Sequence, residues 1–232
     1  TGSMTFNHLT FTVTSFSNII LTIASGTTLT VSGTLTFGPD NAACDIKGPG
    51  TMSAQGNVTT IAGGCRGTAV VNINGSGSQT FTGETDSNTS VPSININKSS
   101  GTLSFVNTIV ATGNWTYTTG TLSMGTSTII FDPLADNNAT ITGSMTFNHL
   151  TFTVTSFSNN TFTVASGATL TVSGTLTFGP GNAACVVDGP GTMSAQGNVT
   201  TTGDGCAGNI SITLTGTNNQ TITINGVDFP DG

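Results

Sequence analysis

Sixty-seven residues, Thr1 to Gly67, return without a gap as Thr142 to Gly208, and only thirteen of the paired positions differ. TGSMTFNHLTFTVTSFSN opens both copies, SGTLTFGP follows in both, and both close through GPGTMSAQGNVTT to a second cysteine. Self-similarity at a fixed offset, here 141 residues, is the mark of units that bury their apolar faces on neighbouring units. The chain therefore divides into a first full repeat, 1–141, with sub-repeats of about 1–80 and 81–141, and a second, partial repeat, 142–232. One continuous array is expected. A weaker echo lies inside it: Ser32 to Phe37 (SGTLTF) recurs as Thr112 to Tyr117 and again as Ser173 to Phe178.

Within each copy the apolar residues alternate. Leu9, Phe11 and Val13 share one parity and Thr10 and Thr12 the other, as in a strand with one buried and one wet face. Met4 and Phe6 have the opposite parity, so a bend near Asn7-His8 is needed to keep all five apolar side chains inside. Leu29, Val31, Leu35 and Phe37 line a further face across Gly33, opposite Thr28, Thr30, Thr34 and Thr36. Turn signals follow each run: Ser25-Gly26, Gly38-Pro39, Gly48-Pro49-Gly50, Gly63-Gly64 and Asn74-Gly75. No ten-residue stretch has helical periodicity, and the chain reads as all-β with short strands.

Only 6% of the residues are charged, against roughly 25% in an average soluble domain. Thr, Ser and Asn take their place, which favours pleated surfaces over helices. The net charge of -7 arises from ten acids against Lys47, Arg66 and Lys98. Three cations cannot assemble a phosphate-binding footprint, so nucleic acid is excluded as a partner. No apolar run reaches the ~20 residues of a membrane span. The sequence starts within a repeat, at Thr1, which suggests a mature or excerpted part of something longer.

Four cysteines form two equivalent pairs, Cys44 with Cys65 and Cys185 with Cys206, each twenty-one positions apart. That spacing differs from metal and redox C-x-x-C motifs, so one disulfide per pair and an extracellular, oxidising setting are expected; four buried free thiols are the alternative. The sub-repeats differ in length by nineteen residues, close to the cysteine spacing. A solenoid turn of roughly twenty residues would explain both, placing each disulfide at one corner of adjacent coils about 4.8 Å apart. Roughly eleven or twelve coils would then fit the chain.

The run from Gln79 to Leu122, with QTFTG, PSININKSSGTL and TGNWTYTTGTL, and the TFNHLTF segments at Thr5 and Thr146 resemble the Thr/Ser/Gly/Asn-rich tandem repeats of large prokaryotic surface proteins. Those repeats are similar to adhesin-type right-handed parallel β-helices. The resemblance implies an extracellular or cell-surface address and a role as stalk, adhesin or filament material. It carries no catalytic residues.

Candidate chemistry is sparse. His8 and His149 occupy the same place in the two copies, beside Asn7 and Asn148, and suit a turn hydrogen bond better than catalysis. Asp40 is replaced by Gly181 and Asp45 by Val186, so no paired carboxylate is repeated. Asp132 with Asp136, or Glu84 with Asp86, offers at most a weak calcium site, and no other cofactor is implied. No G-x-S-x-G elbow is present. Trp115 stands where the sister segments have Leu35 and Leu176, which reads as a larger core residue or, alternatively, a sugar-stacking platform. The Thr-x-Thr stretches, Thr28-x-Thr30 and Thr34-x-Thr36, would form hydroxyl ladders if coils stack in register.

The expectation is a right-handed parallel β-helix, a β-solenoid built from 141-residue repeats, with a tandem β-sandwich array as the alternative architecture. The expected function is non-enzymatic: an extracellular filament, sheath or adhesin stalk whose partner is itself, end to end or laterally. The alternative is a surface module binding cell-surface carbohydrate or ice through Thr28, Thr30, Thr34, Thr36 and Trp115. No cap is legible at either end, so further repeats or end-to-end stacking are expected.

Overall fold

The computed structural model describes residues 2–13, 18–40, 44–85, 87, 89–134, 138–156, 158–181, 184–225 and 228–230. Among them there is no helix, and the strands form parallel stacked coils, a β-solenoid of about 9 turns. Backbone contacts divide it into two compact units: Thr1–Gly113 with Thr118–Gly125, and Asn114–Tyr117 with Thr126–Gly232.

The first unit contains β1 (Met4–Phe6), β2 (Leu9–Val13), β3 (Ile19–Thr22), β4 (Thr28–Val31), β5 (Leu35–Asp40), β6 (Cys44–Lys47), β7 (Thr51–Ala54), β8 (Val58–Thr60), β9 (Val70–Ile73), β10 (Gln79–Thr82), β11 (Ser93–Val106) and β12 (Thr108–Ala111). Successive strands join three parallel stacks. The first runs β1-β4-β7-β9 and ends on the start of β11. The second runs β2-β5-β8-β10 and ends on the last residues of β11. The third begins with β3-β6 and continues as single bridges through Arg66, Val91 and Ala111. β11 crosses from the first stack to the second without a break because Gly101 turns the corner at φ 70°.

The strand β13 (Trp115–Ser123) contributes to both units, and the second unit follows with β14 (Thr128–Phe131), β15 (Ala139–Thr142), β16 (Met145–Phe147), β17 (His149–Val154), β18 (Asn160–Val164), β19 (Thr169–Val172), β20 (Leu176–Gly181), β21 (Cys185–Asp188), β22 (Thr192–Ala195), β23 (Val199–Thr201), β24 (Ser211–Leu214) and β25 (Ile222–Ile224). The same three stacks return: β16-β19-β22-β24, β14-β17-β20-β23-β25, and the start of β13 with β15-β18-β21. All these strand pairs are parallel, whereas a β-sandwich array pairs its strands antiparallel. The repeat origin at Thr142 falls inside β15, so the sequence period marks no structural boundary.

Fewer turns form than the sequence suggested, because most coils exceed twenty residues. The Ser3–Thr28 hydrogen bond spans 25 residues, Thr28–Thr51 spans 23 and His8–Thr34 spans 26, while the cysteine corner closes in 21. The expected bend lies between β1 and β2 and between β16 and β17. In the second unit it brings Met145, Phe147, Leu150, Phe152 and Val154 all inside. Matching residues then stack from coil to coil: Phe131 on Phe152 at 5.5 Å and Phe152 on Phe178 at 5.9 Å, near-parallel in both cases. Such ladders add offset aromatic contact to the buried area.

Candidate functional site

In each unit the outer face of the second stack carries a regular file of threonines. In the first unit, register places Thr10 beside Thr36, Thr36 beside Thr59 and Thr59 beside Thr82. In the second unit the equivalent residues Thr151, Thr177, Thr200 and Thr223 align in the same way. The inward partners one residue on, Phe37 and Phe178, are fully buried and hold each strand face-down on the core. Rungs of such a ladder lie about 4.8 Å apart. None of these eight hydroxyls donates to another protein group among the described residues.

A second file, two residues earlier, caps the corners. His8 Nδ1 accepts the Thr34 amide N-H at 2.9 Å, and Asn57 Oδ1 accepts that of Thr80 at 2.9 Å. His149 with Thr175 and Asn198 with Thr221 repeat the device at the same distance. Asn114 caps Thr140 and Asn138 caps Thr161 on other corners. Each cap satisfies an amide where the chain turns from one stack to the next, and a buried or half-buried amide left unpaired is costly. The imidazoles are therefore structural, with the acceptor at Nδ1. Gly33 and Gly174 make room for them: a Cβ at Gly33 would stand 2.5 Å from the Asn7 carbonyl and 2.7 Å from the His8 ring. The N-x-T triplets thus have an architectural origin, with the Asn as corner cap, the middle residue inward (Val58, Trp115, Val199) and the Thr outward.

The four threonines singled out in the sequence do not share one face. Thr34 and Thr36 belong to the second stack, while Thr28 and Thr30 lie on the first, where Thr28 Oγ1 pairs with Thr51 Oγ1 at 3.3 Å. Polar residues of the first stack largely satisfy one another: Ser53 donates to Asn74, Asn95 to Asn72, and Thr169 pairs with Thr192. Trp115 is 0% exposed and meets Phe131 edge-on at 5.8 Å, so the sugar-platform expectation is corrected: its ring is core. Bulk, not stacking chemistry, explains its place in a Leu position.

Both disulfides form, Cys44 with Cys65 and Cys185 with Cys206, across adjacent coils at Cα separations of 4.7 and 4.5 Å. They sit on the third stack, whose outer face carries Asp45 bound to Arg66 at 3.0 Å and to Lys47 at 3.4 Å. Asp132 gives both carboxylate oxygens to the amide and hydroxyl of Thr155, and burial raises its pKa above the usual carboxylate value. Asp136, its proposed calcium partner, lies outside the described residues, as does Asp86. Among the described residues no three His, Cys, Asp or Glu side chains gather as metal ligands.

One site was not legible. Lys98, on β11, is 1% exposed, and its ammonium donates to Gly75 O at 2.6 Å, Gly77 O at 2.9 Å and Gln79 Oε1 at 2.7 Å. The Gln79 amide nitrogen in turn donates to Ala54 O at 3.0 Å and to Gly56 O. All three ammonium protons find acceptors, though burial holds the pKa below the ordinary lysine value. Gln220, at the equivalent position, reaches Ala195 and Gly197 alike, but its Oε1 accepts the Gly216 amide. The sequence signal was the repeated G-x-x-x-Q-T, shared by Gly75 to Thr80 and Gly216 to Thr221.

The fold and its surfaces thus define a class: a three-faced, disulfide-stapled parallel β-solenoid with polar ladders outside. No protein-family model matches the chain, and no curated protein or solved structure is significantly similar to it.

Proposed function

We propose that this protein is non-enzymatic structural material of an extracellular filament, sheath or adhesin stalk on a prokaryotic surface. The observation that carries the reading is the coil-to-coil disulfide, repeated at the same corner in both copies. Disulfides persist in oxidising compartments, which supports an address outside the cell. The resemblance of the Gln79 to Leu122 run to prokaryotic surface repeats supports the rest. Load along such a stack is carried by parallel backbone ladders, interior Phe, Leu, Ile and Val columns, and the covalent staples. With charges few and the net charge spread thinly, neighbouring copies approach with little repulsion.

Electron microscopy of native material, with and without reductant, tests this reading. Unbranched fibres, or thin rods projecting from a cell surface, are the expected result, with mechanical fragility after reduction. Immunolabelling confined to the cell interior, with dispersed particles and reduced thiols, would overturn it.

A further inference from the structure

In each unit the second stack carries a four-threonine file that packing does not require. Its threonines form one file in each unit, Thr10, Thr36, Thr59 and Thr82 in the first and Thr151, Thr177, Thr200 and Thr223 in the second, each in register, outward and without side-chain hydrogen bonds among the described residues. On the first stack the corresponding groups largely consume one another. On the third stack the outer residues include Asp45, Lys47 and Arg66 in the first unit, and in the second the pair Thr140–Thr163 ends on Asp188.

The two copies add an independent observation. Of the thirteen differences, six fall in the third-stack strands β3 and β6, at positions 19, 20, 21, 45, 46 and 47. A seventh, Arg66, is a bridge residue of that stack; five more, at 23, 27, 61, 62 and 63, lie in connecting segments, and the last is Asp40 at the end of β5. The threonine rungs and their His and Asn caps are identical in both copies, as are the first-stack strands β1, β4 and β7, so, Asp40 aside, the third stack alone has diverged along its strands.

We propose that this threonine file, present once in each unit, binds ice. This activity is additional to the structural role and does not depend on it. The face offers four things that an ordered lattice of water needs. Its hydroxyls repeat at about 4.8 Å along the stack, one to each strand. Threonine is stiff at χ1, so little side-chain entropy is lost when the surface engages a rigid partner. Each hydroxyl is free to anchor a bridging water, and each adjacent methyl excludes a disordered one. The rungs carry no ionic group that would hold water in a competing geometry. Carbohydrate is the less suited occupant, because the one tryptophan of the chain is buried and no aromatic ring stands among the rungs.

The test uses the purified full chain, disulfides intact, in ice-recrystallisation and ice-shaping assays beside an equal mass of an unrelated globular protein. Slowed recrystallisation and faceted crystals are expected. The double variant Thr59→Lys with Thr200→Lys should lose both effects while keeping its circular dichroism and melting midpoint. The control pair Thr30→Lys with Thr171→Lys, on the first stack, should retain them. Should the lysine rungs disturb folding, Thr36→Val with Thr177→Val removes hydroxyls at constant volume and should weaken the effect. A wild-type chain no better than the reference protein, or a folded ladder variant as active as wild type, would overturn the proposal. So would retention of insoluble polysaccharide that is lost with the ladder while ice growth is unaffected.

Discussion

The first copy of the repeat, Thr1 to Gly67, and the second, Thr142 to Gly208, share most of their residues yet bury them differently. Met4 is 50% exposed and Met145 6%; Leu21 is 38% exposed and its counterpart Phe162 is 0%. The difference follows from neighbours rather than from side chains. β18 has β15 stacked on one side and β21 on the other, whereas β3 pairs with β6 alone among the described strands. In a solenoid an apolar residue is buried by the coil above as much as by its own coil, so identical sequence yields core in one place and surface in another. Strand β3, with Ile19, Ile20 and Leu21 all exposed, has also lost the alternation that Asn160, Thr161 and Phe162 keep.

The staples should break this comparison most forcefully. Each disulfide closes a loop of 21 residues, for which chain entropy predicts about 3 kcal/mol. Cys44→Ser with Cys65→Ser and Cys185→Ser with Cys206→Ser should each lower unfolding stability by that amount in urea titrations. Their surroundings differ, with the Asp45–Arg66 ion pair beside one and Val186 and Ala207 beside the other. Exposed ion pairs contribute at most about 1 kcal/mol, so a larger inequality between the two variants would show the corners to be unlike.

The glutamine clamps come next. Gln79→Leu leaves a buried ammonium short of one acceptor and two carbonyls short of a donor, at a cost of about 3 kcal/mol. Gln220→Leu breaks the two equivalent carbonyl bonds and the Gly216 amide bond but strands no charge, and should cost less, about 1 to 2 kcal/mol. Equal losses in thermal or chemical unfolding would remove Lys98 from the account.

These examples show what the sequence made legible. Alternation in Leu9–Val13, the parity change at Asn7-His8 and the paired cysteines led to parallel coils with a stapled corner, because each rests on local periodicity or on an exact repeat. The cysteine spacing overstates the coil count because it samples one short corner, whereas coils elsewhere take 23 to 26 residues. Lys98 reads in the sequence only as one of three cations, since its burial depends on acceptors from Gly75, Gly77 and Gln79, 19 to 23 residues away; the repeated G-x-x-x-Q-T marks the glutamine clamp but not the lysine. The threonine ladder was anticipated only as Thr-x-Thr runs. Which runs share a face depends on how many residues each corner absorbs, and that varies from coil to coil.

A finer contrast lies at Thr60 and its counterpart Thr201, both buried behind the ladder. The Thr60 hydroxyl has no hydrogen-bond partner among the described residues, whereas Thr201 Oγ1 accepts the Asn225 amide at 2.9 Å. Thr60→Val should therefore stabilise by about 1 kcal/mol, and Thr201→Val should destabilise by a similar amount. Differential scanning calorimetry reads both, and a shared sign would refute the contrast.

The smallest expected effect concerns the corner caps themselves. Asp132 Oδ1 accepts the Thr155 amide at 2.9 Å, the bond that Asn57, Asn114, Asn138 and Asn198 make elsewhere with a neutral amide. Burial raises the folded pKa above the unfolded value of 3.8, the Thr155 bonds opposing it in part. In the window above 3.8 the folded state then binds more protons than the unfolded one, so stability falls as pH rises through it. Asp132→Asn supplies the amide the other corners use. The variant should keep the fold, lose that acid-side slope in melting temperature, and be at least as stable at neutral pH. An unchanged slope would place the titration elsewhere, and a marked loss of stability would mean that this corner needs its charge.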